Sequence, residues 1–252
     1  MFFKDFQSAI GNYGKSIRLF TELKLWRYTL LPALLGLLIG AGIIALAYYL
    51  SDNVGAYIAD LWPFGFWEES IRSISNVIGG IIVGVLGFIL YKHIVMALAA
   101  PFMTPISEKI EMHLTGKELD ITNTPQEFIG TILRASRINL RNIIFELLIT
   151  LGLLIMSLIP VLGWFSAILI FFVGAFYAGF GNMDYTLERH AGYKQSVAFV
   201  NKHRGVAVGN GTIFMLLLMI PIVGMCIALP FSTAAATINT VEKIEEFRKS
   251  KK

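Results

Sequence analysis

The sequence predicts an all-α integral membrane protein with two transmembrane helices, two helical hairpins that partly penetrate the bilayer, and further amphipathic and cytoplasmic helices. Composition gives the first reason: 56% of the 252 residues are hydrophobic, 15% are charged, and the mean hydropathy is +0.67. Uncharged apolar runs as long as those in this chain are typical of proteins surrounded by lipid rather than water.

A repeated bend gives the second reason. Residues 158–164 and 219–225 each place a proline three residues before a glycine, inside a long apolar run. Proline removes a backbone donor and glycine tolerates a turn, so each copy predicts a helical hairpin that reverses inside the apolar phase.

The first hundred residues predict three elements in the membrane or at its surface. Residues 1–27 predict an amphipathic helix in the membrane interface, because large apolar side chains recur there at helical spacing. Residues 28–50 contain 23 residues without a charge, which at about 1.5 Å per residue cross a hydrocarbon layer of about 30 Å. Residues 51–73 are acidic and aromatic and predict a periplasmic loop, and residues 74–100 predict the second transmembrane helix.

The remaining boundaries follow the alternation of polar and apolar segments within a single membrane domain, 1–252. They are cytoplasmic helices at 101–142, hairpin 1 at 143–181, a polar connector at 182–204, hairpin 2 at 205–240 and a basic tail at 241–252. The first limb of hairpin 2, from Gly205 to Ile220, has 16 residues, or about 24 Å of helix, which is too short to cross the bilayer. The limbs of hairpin 1 are longer, so partial and full penetration both remain open for it.

The glycine spacing in the two predicted spans is suited to close helix packing. Gly36 and Gly40 in the first span, and Gly80 and Gly84 in the second, are each four residues apart. The same spacing also arises by chance in glycine-rich membrane helices.

The distribution of lysine and arginine predicts the orientation. Arg72 is the only one of the 21 basic residues that lies in 51–73, so the other 20 lie on one side if both hairpins return to the side they enter from. The positive-inside rule then places both termini in the cytoplasm. The net charge of +4 reflects residues held at an anionic lipid surface, and no nucleic-acid-binding motif is recognisable.

The sequence contains no recognisable catalytic, metal-binding or cofactor-binding motif, so it predicts a protein that is not an enzyme and that has no cofactor. There is no phosphate-binding glycine loop and no nucleophile elbow, and the histidines lack ligand spacing. We therefore predict that His93, His113, His190 and His203 are interfacial or solvated. Cys226 lies in an apolar run and predicts a small buried hydrophobe.

Charged residues beside the apolar runs have several interpretations. Arg134, Arg137 and Arg141 are spaced to share one helix face, where they suit lipid headgroups, pairing with nearby carboxylates, or a basic vestibule for an anion. Glu146 is the only charge in 143–181, and a shielded interfacial pair with Arg141 is favoured over an ion relay.

Short motifs occur in a specific order along nearly the whole chain. They are Ala100-Pro101-Phe102 with Pro105 and Glu108, Met183-Asp184-Tyr185 leading to Glu188-Arg189-His190, Lys202-His203-Arg204-Gly205, and Ile220-Pro221 up to Pro230. In this order they resemble the CysZ-like sulfate transporter family. The resemblance implies a bacterial inner-membrane protein that takes up sulfate for cysteine synthesis without its own ATPase. It also implies two spanning helices, two partly inserted hairpins and homo-oligomers. Protomers of the family can lie antiparallel in these oligomers, but the strong bias of basic residues to one side in this sequence argues against that arrangement.

The resemblance also implies a substrate-binding stretch. The family contacts sulfate through a Gly-Leu-Arg type motif just before the first span, and the matching residues here are Lys24, Leu25, Trp26 and Arg27. The leucine and a neighbouring arginine are present, whereas the glycine and the first arginine are replaced. Lys24 and Arg27 are candidates to recruit the anion, or they hold the first helix at the lipid headgroups with Trp26 as an anchor.

The bends suggest an anion path. Sulfate oxygens accept hydrogen bonds, and helix N-termini can replace their hydration. The returning limbs start near Gly163–Trp164 and Gly224–Met225, which places positive helix ends within the membrane. Two functions follow: an oxyanion permease or channel, favoured by the order of the motifs, or a scaffold whose wedge-like hairpins organise lipids or partner proteins. The absence of arginine and lysine from the hairpin limbs favours the scaffold.

Overall fold

The computed structural model describes residues 2–60, 68–118, 124–157, 159–220 and 222–249. The chain is an all-α integral membrane protein, as predicted: 92% of it is helical, and the described residues contain no strand. The helices are α1 (Phe2–Glu22), a 3-10 turn (Leu25–Tyr28), α2 (Leu30–Asp60), α3 (Glu68–Leu98), α4 (Ala100–Thr115), α5 (Pro125–Ser157), α6 (Pro160–Leu187), α7 (Tyr193–Lys202), α8 (Arg204–Leu218) and α9 (Val223–Lys249).

Five stretches of the described chain are long and apolar enough to cross a membrane. They are Leu25–Tyr57, Ser73–Leu98, Phe128–Ser157, Leu162–Leu187 and Val223–Lys249. Helix α8 has only 15 residues, about 22 Å, which is shorter than the hydrocarbon layer. The depth to which the two hairpins enter the bilayer stays a prediction.

The helices extend beyond two of the predicted boundaries. Helix α2 continues ten residues past the predicted end of the first span, to Asp60, because 51–60 contain no proline. The centre of the predicted periplasmic loop, 61–67, lies outside the described residues. Helix α5 passes without a break through the boundary predicted at 142–143, because no glycine or proline occurs between 131 and 151.

Both repeated bends separate two helices. Ile159 is extended, with φ −88° and ψ 118°, and Pro160 lies in the first turn of α6, as expected for a residue that precedes proline and for proline at a helix start. At the second bend α8 ends at Leu218 and α9 begins at Val223. Pro221 itself lies outside the described residues.

Helix α1 packs into the protein by a face that coincides only in part with the predicted apolar stripe. Tyr13 and Phe20 of that stripe are buried, whereas Phe3 and Ile17 are exposed. The polar Asn12 is also buried, on a helix whose contacts are with α8 and α9. The interior offers hydrogen-bond partners for small polar side chains, and lipid accepts large apolar ones, so the buried face of α1 combines apolar and polar residues.

Helix α8 lies between α1 and α6 at very short range because glycine occurs on both sides. A Cβ at Gly209 would lie 2.6 Å from the carbonyl oxygen of Phe6, and a Cβ at Gly211 would overlap the carbonyl oxygen of Ala175. Small residues that allow backbones to approach are the usual contact in membrane helix packing.

Only one of the two predicted glycine stripes makes such a contact. A Cβ at Gly36 would lie 3.0 Å from the carbonyl oxygen of Met225, and one at Gly40 would lie 3.2 Å from the Met225 side chain. Neither Gly80 nor Gly84 has a neighbour within 4 Å of an added Cβ. The stripe on α2 therefore receives the start of α9, and the stripe on α3 is open.

Helix α9 is the centre of the bundle. Its span has the lowest mean hydropathy of the five, 1.3, yet 78% of that window is buried. Ser232 contacts Tyr13 of α1 through their hydroxyls at 2.7 Å, and Asn239 accepts a hydrogen bond from Asn12 at 2.9 Å. Thr237 accepts one from Thr186 of α6 at 3.0 Å. These contacts keep the polar face of α9 away from lipid.

Candidate functional site

The stretch Lys24–Arg27 forms a tight turn between α1 and α2. Lys24 has φ 51° and ψ 45°, the left-handed conformation, and caps the 3-10 helix that follows. A residue with a Cβ adopts this conformation only at a free-energy cost, which glycine avoids. Lys24 therefore marks an abrupt change of backbone conformation between α1 and the 3-10 turn that precedes α2.

Leu25 is the buried residue of this turn, and the other three are exposed. The Trp26 ring is 49% exposed and packs against Phe20 and Phe231 with both centroid distances at 5.5 Å. Lys24 and Arg27 have no carboxylate partner within the described chain, and the Arg27 guanidinium lies 4.9 Å from the centre of the Tyr28 ring. The turn thus presents two cations that no described carboxylate neutralises.

The three arginines of the proposed basic vestibule have different environments. Arg134 is fully engaged: it binds Asp184 (Nη2 to Oδ1, 3.0 Å) and donates to the Ala191 carbonyl and to Ser196 Oγ. Arg137 lies over the Tyr193 ring at 4.4 Å. Arg141 donates to Asn142 Oδ1 at 2.9 Å and lies over two phenylalanine rings. The last two have no ion pair with any described residue, so they remain available to an anion.

The residues at the bends take part mainly in packing. The Gly163 amide donates to the Ile159 carbonyl and the Gly224 amide to the Ile220 carbonyl, each at 2.9 Å. Trp164 is 81% exposed. The backbone N–H groups of Gly163 and Gly224 therefore already donate hydrogen bonds at the starts of their own helices. Met225, which was also predicted to line the path, contacts α2 instead.

A cluster of titratable side chains that was not predicted from the sequence joins α4 to the end of α6. We call Glu111, Arg189 and His190 the Glu111 cluster. Arg189 Nη2 donates to Glu111 Oε2 at 2.8 Å, and His190 Nε2 lies 2.6 Å from Oε1. Burial alone would raise the pKa of Glu111, but the contacts with His190 and Arg189 together lower it.

Glu188, next to this cluster, has a different environment. It accepts a hydrogen bond from Thr104 Oγ1 at 2.6 Å. Burial raises the pKa of Glu188 to about 7, the nearby Asp184 carboxylate adds to the rise, and the Thr104 hydrogen bond opposes it. Glu188 therefore titrates close to neutral pH.

A second cluster lies within the membrane-spanning segments. We call Lys92, His93 and Glu146 the Lys92 cluster; the three residues are between 0% and 2% exposed. Lys92 Nζ donates to Glu146 Oε1 at 2.5 Å and to the Gly174 carbonyl at 3.1 Å, and His93 Nε2 lies 2.8 Å from Glu146 Oε2. His93 Nδ1 lies 2.9 Å from Asn139 Oδ1.

The Lys92 cluster corrects two predictions. His93 is buried, not interfacial or solvated, and Glu146 pairs with Lys92 and His93 rather than with Arg141. The sequence did carry a signal, since Lys92-His93 interrupts one apolar run and Glu146 is the only charge in another. Isolated opposite charges in membrane helices are expected to find each other.

Two further predictions need correction. His203 is only 6% exposed, with Nδ1 3.8 Å from Asp5 Oδ2, and burial lowers its pKa. Cys226 is half-buried rather than buried.

A family model described as "Sulfate transporter CysZ/Etoposide-induced protein 2.4" matches residues 12–228. The chain belongs to this family. Proteins named "Sulfate transporter CysZ" align with most of its length: 26% identity over 218 residues in Pseudomonas fluorescens (strain Pf0-1), covering 86% of each chain. The protein of that name in Pseudomonas aeruginosa (strain LESB58) is 24% identical over 232 residues, which cover 91% of this chain and 93% of the relative. The protein of that name in Vibrio parahaemolyticus is 25% identical over 242 residues, which cover 94% of each chain.

The conformation of Lys24 is one that glycine adopts without strain, since its φ of 51° lies in the left-handed region. The turn therefore places a cation at a position that is unfavourable for a residue with a Cβ.

Proposed function

We propose that this protein is a sulfate permease or channel of the bacterial inner membrane, with both termini in the cytoplasm, and that it supplies sulfate for cysteine biosynthesis as a homo-oligomer. Its CysZ relatives are named as sulfate transporters, and five of its helical stretches are long and apolar enough to span a membrane. The observation that carries the proposal is the turn before α2, which presents Lys24 and Arg27 without carboxylate partners.

The turn recruits the anion. Sulfate carries two negative charges, and cationic nitrogens form its strongest hydrogen bonds. Leu25 is buried and Trp26 packs against Phe231, so the backbone of the turn is anchored while Lys24 and Arg27 remain exposed. Recruitment by these cations raises the local concentration of the anion at the entrance.

Further cations extend this surface. Arg137 and Arg141 act as a vestibule, whereas Arg134 stabilises the contact between α5 and α6 through Asp184. The starts of α6 and α9, near Gly163–Trp164 and Gly224–Met225, act on the anion through the positive ends of the helices. The Gly163 and Gly224 amides do not contact it directly, because both donate within their own helix starts.

Flux of radiolabelled sulfate into proteoliposomes tests the recruiting role. We expect Lys24→Ala combined with Arg27→Ala to raise the half-saturating sulfate concentration about tenfold, because two charge-assisted contacts are lost. The matched control is Lys4→Ala with Lys194→Ala, which removes the same charge from exposed lysines elsewhere on the surface. Unchanged flux and saturation in the first double variant would refute the recruiting role.

The scaffold hypothesis is tested by the wild-type protein in the same assay. Its argument was the absence of buried cations from the hairpin limbs, yet Lys92 of α3 contacts the Gly174 carbonyl of hairpin 1 in the protein interior. Sulfate flux no greater than that of empty liposomes, with folded protein, would favour the scaffold.

A further inference from the structure

Two nitrogen-bearing side chains, Lys92 and His93, contact one carboxylate, Glu146, inside the membrane. Each oxygen of Glu146 has its own nitrogen partner, Lys92 for Oε1 and His93 for Oε2, at 2.5 and 2.8 Å. Donors arranged separately around the oxygens of an anion are the usual geometry of an oxyanion site. Glu146 is the anion that this set of donors holds in the structure.

The same face of α5 carries polar groups that Glu146 does not use. Asn142 and Thr150 are fully buried, and Asn142 Nδ2 and Thr150 Oγ1 have no hydrogen-bond partner among the described residues. Together with Asn139 and Glu146 they follow one another at spacings of three and four residues, which places them on one side of the helix. Each unpaired buried polar group costs about 1–3 kcal/mol, so a ligand with more oxygens than a carboxylate would gain by contacting them.

Arg141 connects these groups to the proposed vestibule. Its guanidinium donates to Asn142 Oδ1 at 2.9 Å, and the amide nitrogen of the same side chain is the unpartnered donor. From Arg141 to Glu146 the rise along α5 is about 7.5 Å. Arg141, the unpartnered amide of Asn142 and the carboxylate of Glu146 thus follow each other on α5, and Lys92 of α3 contacts the last of them.

The charge of the site suits a divalent oxyanion. Lys92 and Arg141 supply two positive charges, and Glu146 is the carboxylate in contact with Lys92 and His93. Tyr177 on α6 is a further buried titratable side chain near Arg141 and Glu146. Glycine at 174 lets the backbone of α6 reach Lys92, since an added Cβ would lie 3.2 Å from Nζ and 3.3 Å from Glu146 Oε1.

We propose that Lys92, His93 and Asn142 form an oxyanion-binding site within the membrane, and that the Glu146 carboxylate occupies it until a sulfate-type anion displaces it. The proposal rests on the proposed function and assigns it an inner binding site beyond the turn at Lys24–Arg27. On displacement Glu146 turns away from Lys92 and His93 or takes up a proton, and the anion contacts those two residues together with the free amide of Asn142.

An ion cluster that only joins helices makes the opposite prediction for Glu146→Gln. In that case the variant loses a contact and gains no ligand affinity. If Glu146 competes with the anion, the variant leaves Lys92 without its carboxylate and binds sulfate more tightly.

Equilibrium binding of radiolabelled sulfate to purified full-length protein separates these cases. We expect Glu146→Gln to bind sulfate about tenfold more tightly than wild type and Asn142→Ala about fivefold more weakly. Adding Lys92→Met to Glu146→Gln should abolish the gain. Glu188→Gln, the same chemical change at a carboxylate outside the cluster, is the matched control and should leave the affinity unchanged.

Two results would overturn the inner site: folded Glu146→Gln with affinity equal to or weaker than wild type, or Asn142→Ala with unchanged affinity. If Glu146→Gln is not recovered folded, Asn142→Ala decides, because Nδ2 has no described hydrogen bond to lose and the described contact that the variant removes is the one between Oδ1 and the Arg141 guanidinium. Sulfate flux by the wild-type protein distinguishes failure of the inner binding site from failure of the proposed transport function. Flux by the wild type with unchanged binding by Asn142→Ala rejects only the inner site, whereas no wild-type flux rejects the proposed function.

Discussion

The two buried clusters differ in how completely their polar groups are used. In the Glu111 cluster Arg189 donates to Glu111, to Ser107 Oγ and to the Tyr185 carbonyl, and Ser107 continues through its hydroxyl to Thr186. Beside the Lys92 cluster, Asn142 and Thr150 keep unpaired polar atoms. A saturated network fixes one arrangement of helices, whereas an unsaturated one retains capacity for a ligand.

The largest expected effect belongs to the saturated cluster. Arg189→Met should lower the free energy of unfolding by about 3–5 kcal/mol, because it leaves Glu111 buried without its main partner. Denaturant titration in detergent micelles measures the change. Arg248→Met, which removes an exposed pair with Glu245, is the control and should stay within about 0.5 kcal/mol. A loss below about 1 kcal/mol for Arg189→Met would show that saturation does not stabilise this cluster.

The second prediction concerns recovery by a double substitution. Lys92→Met alone should lower the free energy of unfolding by about 3 kcal/mol, and Lys92→Met with Glu146→Leu should return it to within about 1 kcal/mol of wild type. The corresponding pair Arg189→Met with Glu111→Leu should not recover, since the contacts of Arg189 with Tyr185 and Ser107 are also lost. If the free energy of unfolding recovers equally in both double variants, measured by the same denaturant titration, the two clusters do not differ in how completely their polar groups are used.

A smaller effect is expected where α6 approaches the Lys92 cluster. Gly174→Ala should lower the free energy of unfolding by about 1 kcal/mol, because its Cβ would press on Met215, Lys92 and Glu146 at 3.0–3.3 Å. Gly152→Ala on α5, where an added Cβ has no neighbour within 4 Å, should gain about 0.5 kcal/mol from helix propensity. If both variants change stability equally, the approach of α6 does not constrain the cluster.

A pH-dependent effect is expected beside the Glu111 cluster. The pKa of Glu188 is about 7 in the folded protein against 4.5 ordinarily, so the folded state holds its proton more tightly. The resulting stabilisation is complete below about pH 4.5 and is lost as the pH rises through 7. Thermal unfolding midpoints measured from pH 5 to 8 should fall less steeply in Glu188→Gln than in wild type. Glu111, whose pKa is lowered, contributes with the opposite sign, and parallel pH profiles for wild type and Glu188→Gln would contradict the assignment.

The sequence was sufficient for the fold class and for the exposed candidates. Long uncharged runs and the two proline-glycine bends predicted membrane helices, and the resemblance selected the stretch with the two unpaired cations, Lys24 and Arg27. Pairings across the bundle were not predictable, because Lys92 and Glu146 are 54 residues apart and Arg189 and Glu111 are 78 apart. Such contacts depend on how each helix is rotated about its axis, which short motifs do not specify.

Helix α1 shows why apolar periodicity is an incomplete guide to burial in this protein, since Phe20 is buried but other large apolar side chains are not. In water the most apolar face of a helix turns inward, but in a bilayer the exterior is apolar as well. Ile17 and Phe3 can therefore remain outside while Asn12 and Ser16 are buried with partners. Prediction of the buried face requires the positions of small and hydrogen-bonding residues rather than those of the large apolar ones.

The polar face of α9 has a consequence for how the chain is made. Ser232 and Asn239 contact Tyr13 and Asn12, which belong to α1, a helix synthesised before the other described helices. Helix α9 is the last of the described helices to be synthesised, so the nascent chain must hold α1 with those side chains unpaired until then. Insertion into the membrane and completion of the bundle are therefore separate events, and a truncated chain that lacks α9 would expose to cellular quality control the face that α9 covers.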